Sequence, residues 1–259
     1  MIFLLFFSLQ ALAGPLTEKW SATVSGSPVA AFFDAGSASV FVSVAEGRDS
    51  RVDKFDLSGK LVKQEIVSAK GAAGPLRAHF GKLYWVAGDT LWRFDPEAGK
   101  KEKLGQFPES LGKPADIAVA RNGSVYLGLS GGTLYEIHAG NGSIVSQGSP
   151  ISGLFLLDTA LYILRERKLE TYSLDGKKVG FQRPFCQAKC SGLEKSSGGS
   201  WITSEGMSLR EFSTNRNRVL LQIKEVPGRF AYVYDREPSQ DFLIVPFPAG
   251  KILRAYRFR

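Results

Sequence analysis

Six times along this chain an aliphatic residue is followed, three positions later, by Phe, Tyr or Ile: Val52 with Phe55, Leu91 with Phe94, Leu134 with Ile137, Leu169 with Tyr172, Leu209 with Phe212, and Leu253 with Tyr256. The intervals are 39, 43, 35, 40 and 44 residues. Each pair is preceded, seven to eleven positions upstream, by an aromatic in a short apolar run: Phe41, Tyr84, Tyr126, Tyr162, Trp201 and Phe242. Recurrence at a near-constant period constrains the fold more than any single segment does, because it means that one supersecondary unit is built six times.

Each unit reads as four short strands, a to d. A β-like run precedes each aromatic, at 29–34, 76–80, 116–120, 152–158, 192–196 and 230–235. Turns such as Ser58-Gly59, Ala98-Gly99, Asn141-Gly142 and Asp175-Gly176 then lead into fourth runs such as 60–67, 177–181 and 218–224. Apolar residues alternate at period two, and no window sustains the i, i+3, i+4, i+7 spacing of an amphipathic helix. Six four-stranded antiparallel units in one chain predict an all-β, six-bladed β-propeller. The blades are expected to start near residues 29, 76, 115, 152, 191 and 229 of a single domain spanning 14–259. The sixth unit ends at Arg259 just after its third strand, while residues 19–24 alternate like a strand before the first unit. That segment is expected to complete the last blade and close the ring, which removes an edge that would invite aggregation.

The third unit carries Lys113-Pro114-Ala115-Asp116-Ile117-Ala118-Val119, then Asn122-Gly123-Ser124-Val125-Tyr126-Leu127, then Gly132-Thr133-Leu134-Tyr135-Glu136-Ile137. This resembles the repeat of NHL-like and gluconolactonase-like six-bladed propellers. The resemblance implies a ligand over the channel, on the loop-rich face made by the d-to-a and b-to-c connections. It also brings in sugar lactonases and related hydrolases, in which a glutamate, an asparagine and an aspartate hold a divalent cation. The Glu-Gly-Pro opening of their first blade is absent here, where Ser27-Pro28-Val29 stands.

On that geometry the starts of the a strands offer Arg77, His79, Lys113, Asp116, Lys189, Glu194 and Arg229 as ligand-binding candidates. The functional reading is a pocket for an anionic group; the plain one is a solvated rim on a basic protein, with Lys plus Arg at 33 against 25 for Asp plus Glu. The distance from aromatic to pair is eleven residues in the first and sixth units and seven or eight elsewhere. This predicts longer loops at 45–51 and 246–251, placing Arg48, Asp49, Arg51 and Phe247 as a wall on the loop-rich face. His79 reads as a core histidine or a ligand, and His138 as a turn cap in the slot that Asp56 and Asp95 fill elsewhere.

The remaining features bound the setting. Residues 1–13, MIFLLFFSLQALA, end in Ala11-Leu12-Ala13 and read as a cleaved signal peptide, which places the mature protein in the periplasm or outside the cell. Cys186 and Cys190 are expected to form a local disulfide in that oxidising setting. The positive charges are scattered, without the stripe that nucleic-acid binding requires. No nucleophile elbow, H-E-x-x-H or phosphate loop occurs, so no catalytic residue is assigned. The expected function is a non-enzymatic, monomeric binding module for a protein or an anionic envelope ligand, with no cofactor and no metal. The alternative is a divalent-metal-dependent hydrolase, lactonase or lyase, with Ca²⁺ at the channel mouth.

Overall fold

The computed structural model describes residues 16–213, 216–234 and 240–258. The expected signal peptide lies outside them. Six four-stranded antiparallel sheets make six blades of a propeller ring. Blade 1 is β2 (Ser27–Asp34), β3 (Ser39–Glu46), β4 (Asp49–Phe55) and β5 (Leu61–Lys70). Blade 2 is β6 (Ala73–His79), β7 (Lys82–Ala87), β8 (Thr90–Asp95) and β9 (Lys100–Gln106). Blade 3 is β10 (Pro114–Val119), β11 (Val125–Leu129), β12 (Thr133–His138) and β13 (Asn141–Gln147). Blade 4 is β14 (Ile151–Leu157), β15 (Ala160–Arg165), β16 (Lys168–Ser173) and β17 (Lys178–Pro184). Blade 5 is β18 (Cys190–Lys195), β19 (Trp201–Glu205), β20 (Ser208–Ser213) and β21 (Arg216–Gln222). Blade 6 is β22 (Ala231–Val233), β23 (Phe242–Phe247) and β24 (Ile252–Phe258), with β1 (Leu16–Thr23) as its outer strand.

The recurrent marks explain why the blades stack. Every residue of the six recurrent pairs is buried, from Val52 and Leu91 at 0 % exposure to Phe94 and Tyr172 at 8 %. The described residues form six apolar clusters, each joining two neighbouring blades. Blade 1 packs Phe41, Val52 and Val67 against Leu76, Leu83 and Trp85 of blade 2, and blade 6 packs Phe242, Ile244 and Leu253 against Val40, Val42 and Phe55 of blade 1. A blade buries its two faces against its neighbours, so the core is distributed around the ring.

Closure follows the expected scheme. β1 pairs antiparallel with β24, from Leu16 opposite Phe258 to Thr23 opposite Ile252. Trp20 on β1 reaches across to blade 1, where its indole N–H donates to the Leu57 carbonyl at 2.9 Å. Blades 1 and 6 are also stitched near the axis, by Ala31 N–H to the Arg229 carbonyl at 2.7 Å and Arg229 N–H to the Val29 carbonyl at 2.8 Å.

The c-to-d turns use the chemistry the sequence suggested. Asp56 Oδ1 accepts from the Ser58 and Lys60 amides at 2.9 Å, and Asp95 Oδ1 from the Glu97 and Ala98 amides at 3.1 Å. His138 occupies the same slot and meets the Ser124 hydroxyl through Nδ1 at 2.9 Å.

The long spacings in units 1 and 6 have different origins, and only the second is a longer loop. In blade 1 the extra residues lengthen the strands: Glu46 pairs with Asp49 across a two-residue turn. Arg51 is therefore an internal strand residue, 2 % exposed, bonded to Asp53 and Glu46. In blade 6 the connection 248–251 is four residues long, against two or three in the other blades, but Phe247 pairs with Ile252 at the strand end and is 5 % exposed. Of the proposed wall, only Arg48 and Asp49 stand exposed.

Candidate functional site

Four of the seven candidate residues meet at the centre of the ring. Asp116 on β10 is fully buried and accepts four hydrogen bonds. Its Oδ1 takes the Ile117 amide at 2.9 Å and Arg77 at 3.2 Å, and its Oδ2 takes the Leu154 amide at 2.9 Å and Arg229 Nε at 2.8 Å. Arg229 Nη2 stands 2.7 Å from Glu194 Oε1, and Arg77 Nη2 stands 3.6 Å from the same oxygen. Two guanidinium and two carboxylate groups, from blades 2, 3, 5 and the entry to blade 6, thus balance charge across the channel. Isolated, each of these charges would carry a large desolvation cost; together they form a closed network.

The two arginines are satisfied unequally. Arg229 also donates to the Phe230 carbonyl at 2.6 Å and the Leu193 carbonyl at 2.8 Å. Burial opposes its charge, but Asp116 and Glu194 overcome that and raise its pKa. Among the described residues Arg77 makes only long contacts, to Asp116 at 3.2 Å, to the Leu76 carbonyl at 3.4 Å and to Glu194 at 3.6 Å. Burial and then the nearby Arg229 charge lower its pKa, against the opposing pull of Asp116 and Glu194.

Arg77 and Glu194 of this network line a cavity of about 390 Å³ to which all six blades contribute. Phe32 and Phe33 come from β2, Arg77 and His79 from β6, Ala118 from β10, Phe155 from β14, Glu194 from β18, and Tyr232 from β22 with Tyr234 just beyond it. Its rim carries Asp34, Arg121 and Asp158, which belong to the ends of the a strands and the a-to-b turns. The cavity therefore opens on the face opposite to the expected loop-rich one. Lys113 and Lys189 lie at the other ends of the a strands, exposed and outside the cavity lining.

His79 does line the cavity, with its ring 4.2 Å from that of Phe80. Its Nε2 is buried with no hydrogen-bond partner among the described residues. Burial, and secondarily Arg121, lower its pKa, so the ring is neutral at pH 7. Tyr234 donates its hydroxyl to the Lys195 carbonyl at 2.6 Å, and burial, then Glu194 and Asp241, push its pKa up to about 12. The aromatic walls were not among the candidates.

The donor set at the axis does not suit the cation that the resemblance implies. Hard divalent ions take six or more oxygens, whereas both oxygens of Asp116 are saturated and Glu194 already faces two guanidinium groups. Among the described residues no group of three or more His, Cys, Asp or Glu is arranged to hold a metal. Cys186 and Cys190 are joined as a disulfide between β17 and β18, in the apolar cluster of blades 4 and 5. No helix among the described residues is long and apolar enough to cross a membrane.

No protein-family profile matches this sequence, and no curated protein does. Solved structures do match. A gluconolactonase from Xanthomonas campestris superposes with a TM-score of 0.70 at 14 % identity, over 94 % of this chain and 89 % of its own. The virginiamycin B lyase of Staphylococcus aureus gives 0.68 at 12 % identity, over 94 % of this chain and 100 % of its own. A streptogramin B lyase gives 0.67 at 13 % identity, over 94 % and 97 %. At these identities the likeness is one of fold, and the chain is a six-bladed β-propeller built like those lactonases and lyases.

Proposed function

We propose that this protein is an exported, non-enzymatic propeller that binds its ligand in the cavity on the a-to-b face. The observation that carries this reading is the central network. A propeller that used its channel for metal-assisted chemistry would present free carboxylates there; this one commits both of them to arginines. The same balance weakens the expectation of an anionic ligand at Arg77 and Arg229, since their charge is already neutralised. Export is supported by the signal-like residues 1–13 and by the Cys186–Cys190 disulfide.

The second reading, a divalent-metal hydrolase or lyase, is favoured by what the neighbouring structures are named for. Calorimetric titration with Ca²⁺, Mg²⁺ and Zn²⁺ separates the two. The binding module gives no saturable heat with any of them and leaves gluconolactone hydrolysis at its uncatalysed rate. Stoichiometric binding of one of these ions, abolished by Asp116→Asn, would replace it with the enzyme.

A further inference from the structure

The cavity floor has an unused donor and an unused acceptor side by side. Arg77 carries five N–H donors in a planar fork, and among the described residues its contacts engage only Nη1 and Nη2, at 3.2 Å or more. Glu194 spends one oxygen, Oε1, on both arginines, and its Oε2 has no protein donor among the described residues. Both side chains are nine-tenths or more buried, at 10 % and 9 % exposure, and both line the cavity. Neither residue has a polar atom among the fully buried, unpartnered ones of the described residues, so their spare hydrogen-bonding capacity is open to the cavity and available to an occupant.

The walls say what shape that occupant has. Phe32 stands against the Arg77 guanidinium at 5.3 Å, and Phe33, Phe155, Tyr232 and Tyr234 complete the lining. Aromatic side chains on several sides of a small cavity select a flat ring, by stacking and edge contacts. The volume is at the small end for organic ligands. Charge settles the rest. Arg77 and Glu194 belong to a network that already pairs two cations with two anions, so an anionic or cationic ligand would leave one buried charge uncompensated.

Resting on the binding-module reading, we propose that the a-to-b cavity recognises a neutral, planar heterocycle through an adjacent N–H and C=O, a lactam or cis-amide edge. Its carbonyl accepts from Arg77 and its N–H donates to Glu194 Oε2, while Phe32, Phe155 and Tyr234 cover its faces.

The test is saturation-transfer NMR and calorimetry on the full-length mature protein with quinazolin-4-one and 2-pyridone as probes, and benzoate and benzamidine as charged controls. The lactams bind saturably, and at least tenfold more tightly than either control. Arg77→Lys keeps the charge but removes the fork, and weakens quinazolin-4-one binding about tenfold. Tyr234→Ala, at a half-exposed position on the rim that leaves the network untouched, weakens it by about the same factor through lost ring contact. Absence of saturable lactam binding, equal affinity for benzoate or benzamidine, or indifference to both substitutions would each overturn the proposal. None of these results touches the binding-module reading, which only the metal titration above can remove.

Discussion

Glu170 on β16 shows how a single carboxylate is held by its neighbours. Lys178 Nζ stands 2.6 Å from one oxygen, and the Tyr172 hydroxyl donates to the other at 3.1 Å, with Arg165 Nε 3.2 Å away. Burial alone would raise its pKa; Lys178, Tyr172 and Arg165 overcome it and hold the carboxyl below its ordinary value. A depressed folded-state pKa contributes stability that is present above the unfolded value, about 4.3 for glutamate, and is lost as pH falls through the folded one. Denaturant unfolding of the native protein and Glu170→Gln should therefore show a stability gap that is constant above about pH 5.5 and closes as pH falls below about 4. A gap independent of pH would show that the substitution acts through packing alone.

At the scale of elements, closure depends on the contact between β1 and the c-to-d turn of blade 1. Gly59 has φ +86°, and a Cβ built there would stand 2.5 Å from the Trp20 ring. Gly59→Ala should cost about 2 kcal/mol, from the left-handed backbone and from displacing the indole off the Leu57 carbonyl. In a Trp20→Ala background the same change should cost about 1 kcal/mol, because only the backbone strain remains. Additive costs in this double-mutant cycle would mean that the two residues do not communicate. The sixfold marks and this closing strand were legible in the sequence because they are the residues that bury between blades. The four network residues were legible because they fall within or just before the a strands. The aromatic walls and the face of the cavity were not. Five a strands slip register against their neighbours near their starts, between Pro28 and Ala30, Ala73 and Leu76, Pro114 and Asp116, Ile151 and Gly153, and Ser191 and Glu194. Each slip breaks the period-two alternation, so the side of the strand on which Phe32 or Phe155 lies cannot be counted from upstream. The eleven-residue spacing in blade 1 misled for a related reason: spacing alone does not distinguish a longer loop from longer paired strands.

For the whole molecule, the consequence of closing the ring inside blade 6 is that three strands from one end of the chain hold one strand from the other. Leu16 pairs with Phe258, so the described ends lie side by side, and a short linker can join them without strain. Two circular permutants then separate closure from everything else. Opening the exposed turn between Asp95 and Lys100 leaves β8 at one end and β9 at the other, and restores the same three-plus-one closure within blade 2. Opening the connection between β5 and β6, at Gly71, instead leaves every blade whole but lets the ring part between blades 1 and 2. That interface is held by side-chain packing of Phe41, Val52 and Val67 against Leu76, Leu83 and Trp85, with no shared sheet to clamp it. Thermal unfolding of the first permutant should fall within a few degrees of the native protein, since a nick at an exposed turn costs little. The second should melt well below both, by about 10 °C or more, because each 1 kcal/mol moves a domain of this size by about 2–4 °C and the lost clamp is worth several. Equal melting of the two permutants would mean that packing between blades, and not the shared sixth sheet, is what keeps the ring shut.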